Sequence, residues 1–229
     1  MQSIILDTET HTLNGLPIEI AYAPICLEQG QLTLTKEKIF DQLYSIDQPI
    51  SFASMAVHHI LESDLVNQPH YTTFNLPHSV EYIIGHNIDY DIQAISRCGV
   101  DTSKLKPICT LALARSVWPD AEAHNISALI YQISQGSLRA RELLKGAHRA
   151  DADIILTANI LMHIIALTGV KNIHDLYLAS EDARIPKKLS FGKHKGTPIQ
   201  ELPKDYVQWL LKQNELDPYL KQALEKTML

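Results

Sequence analysis

The stretch Ile4-Ile5-Leu6-Asp7-Thr8-Glu9-Thr10 constrains this chain more than any other. Three aliphatic residues soon broken by polar ones are too brief a run for a buried helix and read as a short buried strand. Carboxylates then stand at i and i+2. On a strand that spacing puts Asp7 and Glu9 on one face, a few ångströms apart. Like charges so close repel unless something positive lies between them. A divalent cation meets that need, and an all-oxygen ligand set favours Mg2+. The pair alone also fits the start of a solvated loop, so the rest of the chain has to decide.

A chain of 229 residues fits one sizeable domain, or one with a small appendage, and 45% hydrophobic content suffices for an ordinary core. No apolar run approaches the roughly 20 residues needed to cross a bilayer, and the N-terminus lacks a charged-then-apolar signal pattern. The expectation is a cytoplasmic protein with no membrane partner. Cys26, Cys98 and Cys109 are scattered without C-x-x-C spacing and read as reduced thiols, not as a zinc site or disulfide framework. The net charge of −6 argues against a generic polyanion binder. That charge is uneven. Residues 184–229 hold nine Lys/Arg against five Asp/Glu, and residues 1–183 hold eleven against twenty-one. Metal-binding carboxylates in one part and phosphate contacts in the other fit this split. A solvated face fits it equally, and composition does not choose.

A polar turn at 10–16, containing Asn14-Gly15, follows the first strand. Ile18, Ile20 and Tyr22 alternate against Glu19 and Ala21, which predicts a second strand over 17–27. Gln29-Gly30-Gln31 predicts a hairpin into a third strand over 32–40, completing an antiparallel meander. Residues 44–79 are loop-rich, with short helices expected near 54–60 and 62–66. A strand at 81–85 leads to a helix at 88–98 stopped by Gly99. A short strand at 108–110 leads to a helix at 111–117. Asn125 is a good N-cap for Ile126, Leu129, Ile130 and Ile133 at helical spacing. From 153 to 167 nearly every residue is apolar, which predicts a helix buried all round. Strands first, then helices alternating with short strands, give an α/β class: a mixed sheet flanked by helices.

A second unit is expected over 186–229. Its basic turn, Phe191-Gly192-Lys193-His194-Lys195-Gly196, is bounded by glycines and is not a Walker A loop. Pro203 suits the first turn of a helix with Tyr206, Trp209 and Leu210 on its apolar face.

Two more acidic positions join the first pair. Asp91 closes His86-Asn87-Ile88-Asp89-Tyr90-Asp91 at a helix start, and Asp153 stands five residues after His148 at the head of the most apolar helix. Each alone also reads as a helix-start carboxylate favoured by the helix dipole. Together the set resembles the DEDDh family of 3′–5′ exonucleases. That family's D-x-E-T motif is met by Asp7 to Thr10, its H-N-x-x-[FY]-D motif by His86 to Asp91, and its H-x-x-x-x-D motif by His148 to Asp153. The segment from Pro49-Ile50 to Val57-His58 resembles the family's stretch near the terminal nucleotide. Cys109-Thr110, Ala114-Arg115 and Trp118-Pro119, with the F-G-K-x-[KR]-G and Y-x-x-W-L patterns of the tail, resemble one bacterial DNA-degrading branch. One departure stands at Thr10-His11-Thr12-Leu13, where the family usually has T-G-L.

The resemblance implies a ribonuclease H-like exonuclease domain over residues 1–180 and a small basic C-terminal domain over 186–229. It implies that Asp7, Glu9, Asp91 and Asp153 hold two Mg2+ or Mn2+ ions, and that Glu9 and His148 are catalytic. His148 would take the proton from the attacking water, a task suited to imidazole near neutral pH. Thr10, Leu13 and His58 are the candidates for contact with the terminal nucleotide, and Lys187, Lys188, Lys193 and Lys195 for the phosphate backbone. The implied activity is metal-dependent release of 5′-mononucleotides from DNA 3′ ends, in repair or end processing. An exoribonuclease stays open, because sugar preference rests on contacts around the 2′ position. So does a non-catalytic nucleic-acid or polymerase-binding module, which predicts a missing ligand or base; all five residues are present.

Overall fold

The computed structural model describes residues 2–189, 191–213 and 216–228. The chain divides into two compact units, Met1–Ser180 and Glu181–Leu229. In the first, strands β1 (Gln2–Thr10), β2 (Pro17–Glu28), β3 (Gln31–Leu34) and β4 (Phe40–Leu43) come in succession, followed by helix α1 (Phe52–His58). Strand β5 (Val80–Gly85), helix α2 (Ile88–Ser96), strand β6 (Lys106–Cys109) and helices α3 (Thr110–Val117), α4 (Ile126–Ile133) and α5 (Leu138–Leu143) follow. Helix α6 (Ala150–Thr168) comes next, and the unit ends within α7 (Ile173–Arg184).

The sheet runs β3-β2-β1-β5-β6, with β4 also on β2. β1 pairs antiparallel with β2 and parallel with β5, and β5 pairs parallel with β6, so the sheet is mixed. Ile4, Ile5 and Leu6 are all buried. Successive strand residues point to opposite faces, so burial of all three means that both faces of β1 are covered. Helices α2 and α6 both pack against this strand.

The single strand expected over 32–40 is broken. β3 pairs with Ile25–Glu28 of β2 and β4 with Glu19–Tyr22. A 3-10 turn at Lys36–Lys38 separates them. The turn's three consecutive charged residues bury nothing, so no apolar face holds the ladder there.

Helix α6 is 19 residues long and, by length and composition alone, apolar enough to cross a membrane. Its packing makes it a core helix. Ile154, Leu156, Ile160, Leu161, Ile164 and Ile165 are buried, and it lies against β1, β2, α3 and α4. The expectation of burial all round holds for its first half only, since Met162, His163 and Leu167 are exposed.

The second unit has its own core of Leu189, Ile199, Leu202, Val207, Leu210, Leu220, Ala223 and Leu224. Helices α8 (Lys204–Leu211) and α9 (Pro218–Lys226) supply most of it. Asp217 caps α9 by accepting from the Leu220 amide at 2.9 Å, with Pro218 pre-set in the first turn.

Candidate active site

The end of β1 carries Asp7 and Glu9, and the first turn of α6 carries Asp153. One carboxylate oxygen from each of the three lies within 4.8 Å of the others. Asp91, in the first turn of α2, is not part of this triplet. Its Oδ1 accepts from the Thr8 hydroxyl at 2.8 Å, the side chain between the two β1 carboxylates. The four acidic residues thus come from three elements that all meet at β1.

Such crowding has an electrostatic cost. Burial, then Asp91, Asp153, Glu9 and Glu19, hold the Asp7 carboxyl well above the usual carboxylate range. Glu9 is pushed up to about 9 by burial and by Asp153, Glu19 and Asp91, with Arg149 opposing. Burial also raises Asp91 against the hydrogen bonds of Thr8, and raises Asp153 against the amide and charge of His148. A hard divalent cation answers both problems, because it takes oxygen ligands and replaces mutual repulsion by attraction. The donor set therefore fits a divalent metal.

His148 stands exposed beside this cluster, and its backbone amide points at Asp153 Oδ1 at 3.4 Å. Its φ of +68° places it in the left-handed region, where histidine is enriched among non-glycine residues. A cleft of about 460 Å³ is lined by Asp7, Glu9, His86, His148 and Asp153 among others. His86 is held as one neutral tautomer. Its Nε2 donates to the His124 carbonyl at 2.7 Å, leaving Nδ1 to face the Thr110 hydroxyl at 3.0 Å. Burial pushes this imidazole down to about 4.

Glu19 is a part of the arrangement that sequence reasoning missed. Alternation along β2 assigns it to a polar face, yet Ile18, Glu19, Ile20 and Ala21 are all buried. Glu19 lies opposite Glu9 in the β1–β2 register. Its Oε1 accepts from Arg149 Nε at 2.9 Å and Nη2 at 2.5 Å, and its Oε2 accepts from the Ala150 amide at 3.0 Å. The buried carboxylate thus satisfies a free amide at the start of α6 and fixes where that helix begins. Arg149, adjoining His148, was the available sequence signal: a strand glutamate needs a cation when its neighbours on both sides are apolar.

The three residues expected to contact substrate differ in setting. Thr10 is buried; its hydroxyl donates to the Thr12 carbonyl at 2.8 Å and so accepts from the Tyr90 phenol. Leu13 is 83% exposed at the tip of the following turn. His58 is buried, with Nδ1 accepting from the Ile60 amide at 2.9 Å. Its Nε2 is buried without a hydrogen-bond partner, and the Thr10 backbone lies close to the ring. The structure therefore brings His58 beneath the strand end, not onto an open surface.

His11, at the departure from T-G-L, is buried and braces the turn. Its Nδ1 accepts from the Leu16 amide at 2.8 Å and its Nε2 meets Gln48 Oε1 at 3.1 Å. A Cβ on Gly15 would lie 2.6 Å from this ring, so histidine at 11 requires glycine at 15. Phe52 of α1, 87% exposed, is a second apolar residue near Leu13 in the fold: the Ser51 amide beside it donates to the His11 carbonyl at 2.8 Å.

No protein-family profile matches the chain. It is 27% identical to Exodeoxyribonuclease 10 of Escherichia coli K12, over 97% of this chain and 99% of that protein. The solved structure of exonuclease X in complex with 5′ overhanging duplex DNA matches with a TM-score of 0.57 at 28% identity. That match covers 76% of this chain and 98% of the solved one. The chain is similar to exonuclease X over nearly its whole length. E. coli exonuclease I in complex with a dT13 oligonucleotide shares the fold, with a TM-score of 0.56 at 12% identity over 73% of this chain and 42% of that one. The ribonuclease H-like sheet of these exonucleases is the mixed sheet described above.

Proposed function

We propose that the protein is a metal-dependent 3′–5′ exodeoxyribonuclease, releasing 5′-mononucleotides from DNA 3′ ends. The observation that carries this reading is the convergence of Asp7, Glu9 and Asp153 within 4.8 Å at the end of β1. The similarity to Exodeoxyribonuclease 10 over nearly the whole chain supports DNA as the substrate.

Asp7, Glu9 and Asp153, with Asp91 from α2, would hold two Mg2+ or Mn2+ ions. The chemistry those ions supply when bound is neutralisation of phosphate charge and acidification of water. The protein's own residues do the rest. Thr8 orients Asp91 through its hydroxyl, and Glu19 with Arg149 sets the start of α6 and so the position of Asp153. His148, exposed beside Asp153, takes the proton from the attacking water as general base. Imidazole is a common general base, and such a group contributes about 10²–10⁴-fold to rate. Leu13 and Phe52 present apolar surface to the terminal base, and the Thr10 backbone, not its engaged hydroxyl, meets the sugar. His58 acts on that contact from beneath, by supporting Thr10. We place the enzyme in the cytoplasm, in DNA repair or end processing.

The test uses a 5′-labelled DNA strand and its RNA counterpart with Mg2+, with EDTA, and with the Asp7→Ala and His148→Ala proteins. A Mg2+-dependent ladder shortening the DNA from its 3′ end, lost in both variants, is the expected result. Faster shortening of the RNA would keep the chemistry and overturn the substrate. Cleavage of neither strand, with DNA still bound, would leave a binding module.

A further inference from the structure

The second unit carries a feature that the active site does not use. Residues 185–200 include Lys187, Lys188, Lys193 and Lys195 and no acidic residue. None of these lysines takes part in an ion pair among the described residues. An antiparallel bridge between Lys188 and Pro198 pinches the segment into a loop. The Leu189 amide donates to Thr197 at 2.9 Å and the Gly196 amide to Leu189 at 2.7 Å.

The loop lies directly on α8. Gly192 has φ +69°, and a Cβ there would stand 2.9 Å from the Tyr206 hydroxyl. The His194 ring meets Tyr206 edge-on at 4.5 Å, and Tyr206 lies tilted by 31° against Trp209 at 5.4 Å. Val207 and Leu210 face the core, while Trp209 remains 52% and Phe191 44% exposed. Two large aromatic residues are therefore held at the surface beside unpaired lysines, on a rigid helix and a braced turn. Glu201 and Asp205 lie just before Tyr206 and weaken the positive field without cancelling it, since residues 184–229 keep nine Lys/Arg against five Asp/Glu.

We propose that this face binds single-stranded DNA, with Trp209 and Phe191 stacking on unpaired bases and Lys193 and Lys195 contacting phosphates. Aromatic faces beside basic side chains are the chemistry that unpaired strands require, because a duplex hides its base faces. A run of lysines with no acid among them fits a polyanion better than a mixed protein surface. The choice of DNA rests on the exonuclease reading; the binding itself does not.

The test is fluorescence anisotropy of labelled oligothymidylate with the full chain in EDTA, at low and physiological salt. Trp209→Ala is expected to weaken binding about 5- to 150-fold, the range for one stacked base, and Trp209→Phe to restore most of it. Lys193→Gln with Lys195→Gln is expected to lower the salt slope by about 1.4, at roughly 0.7 per phosphate contact. Hydrolysis of the p-nitrophenyl ester of thymidine 5′-phosphate, which needs only the active site, should be unchanged in all three proteins. Wild-type affinity and salt slope in Trp209→Ala and in the double lysine variant would overturn the proposal and leave the patch to a protein partner. Equal losses on blunt duplex and on oligothymidylate would also overturn it. A wild-type chain that binds through Trp209 but hydrolyses no ester or DNA would sink the exonuclease reading and leave this surface standing.

Discussion

Arg149 reaches back from the residue before α6 to grip Glu19 on β2, and the two ends of this ion pair are not equivalent. The arginine side chain is 45% exposed and the glutamate side chain is fully buried. Removing the cation strands a buried carboxylate, whereas removing the carboxylate leaves an arginine that water can still reach. Arg149→Ala is therefore expected to cost about 3–5 kcal/mol and Glu19→Gln less, about 1–2 kcal/mol. At roughly 2–4 °C per kcal/mol, thermal melts of the two variants should order them clearly. The reverse order would mean that the pair acts through α6 capping and not through charge burial.

Asp7→Asn is expected to separate stability from activity. Without divalent ions the substitution removes one charge from a repelling cluster, so the melting temperature in EDTA should rise by a few degrees, equivalent to about 1–2 kcal/mol. Adding Mg2+ should raise the wild-type melting temperature and leave the variant nearly unmoved, since only a protein that binds the ion gains from it. A drop in the variant's melting temperature in EDTA would show that Asp7 is satisfied without a cation.

Thr8→Val keeps the shape of the side chain and deletes the donor to Asp91 Oδ1. Loss of a bond that orients a ligand typically costs about 10–100-fold in metal affinity. The expected result is a Mg2+ requirement shifted upward by that factor, with maximal rate recovered at saturating metal. A loss of rate that metal does not restore would count against an orienting role.

His86 gives a pH signature with a defined sign. Its folded value, about 4, lies below the usual 6.5 because the buried ring is held neutral. Between these values the unfolded chain takes up a proton that the native state refuses, so this contribution is present above pH 6.5 and is lost as pH falls toward 4. The full difference is at most about 3 kcal/mol. His86→Gln should flatten the loss of stability between pH 7 and pH 5 relative to wild type, read as paired melting temperatures. Parallel curves for the two proteins would show that the ring is free to protonate in place.

The strand at residues 4–6 and its two carboxylates were legible because a short aliphatic run and an i, i+2 spacing are local facts. The apolar sequence of α6 likewise specified a core helix. What the sequence hid depended on partners far along the chain. Glu19 read as a solvent-facing residue because alternation along β2 carries no information about the arginine 130 positions later that neutralises it. The break between β3 and β4 came from two different stretches of β2 offering edges to one segment. His58 was a candidate for contact with the terminal nucleotide, and its burial near Thr10 follows only from how α1 returns to the first strand.

Because β1 is hydrogen-bonded on both sides, its amides around Ile5 and Leu6 should be among the slowest in the protein to exchange with heavy water. The acidic cluster is thus anchored on a segment that opens only when the whole unit unfolds. The turn bearing Leu13 and the start of α1 bearing Phe52 lie outside the sheet and are held by turn and side-chain bonds such as those of His11 and that from Ser51 to His11. Mild heating should therefore blunt the handling of long substrates before it harms hydrolysis of a small ester. The two capacities can wear out, and can be altered by selection, independently.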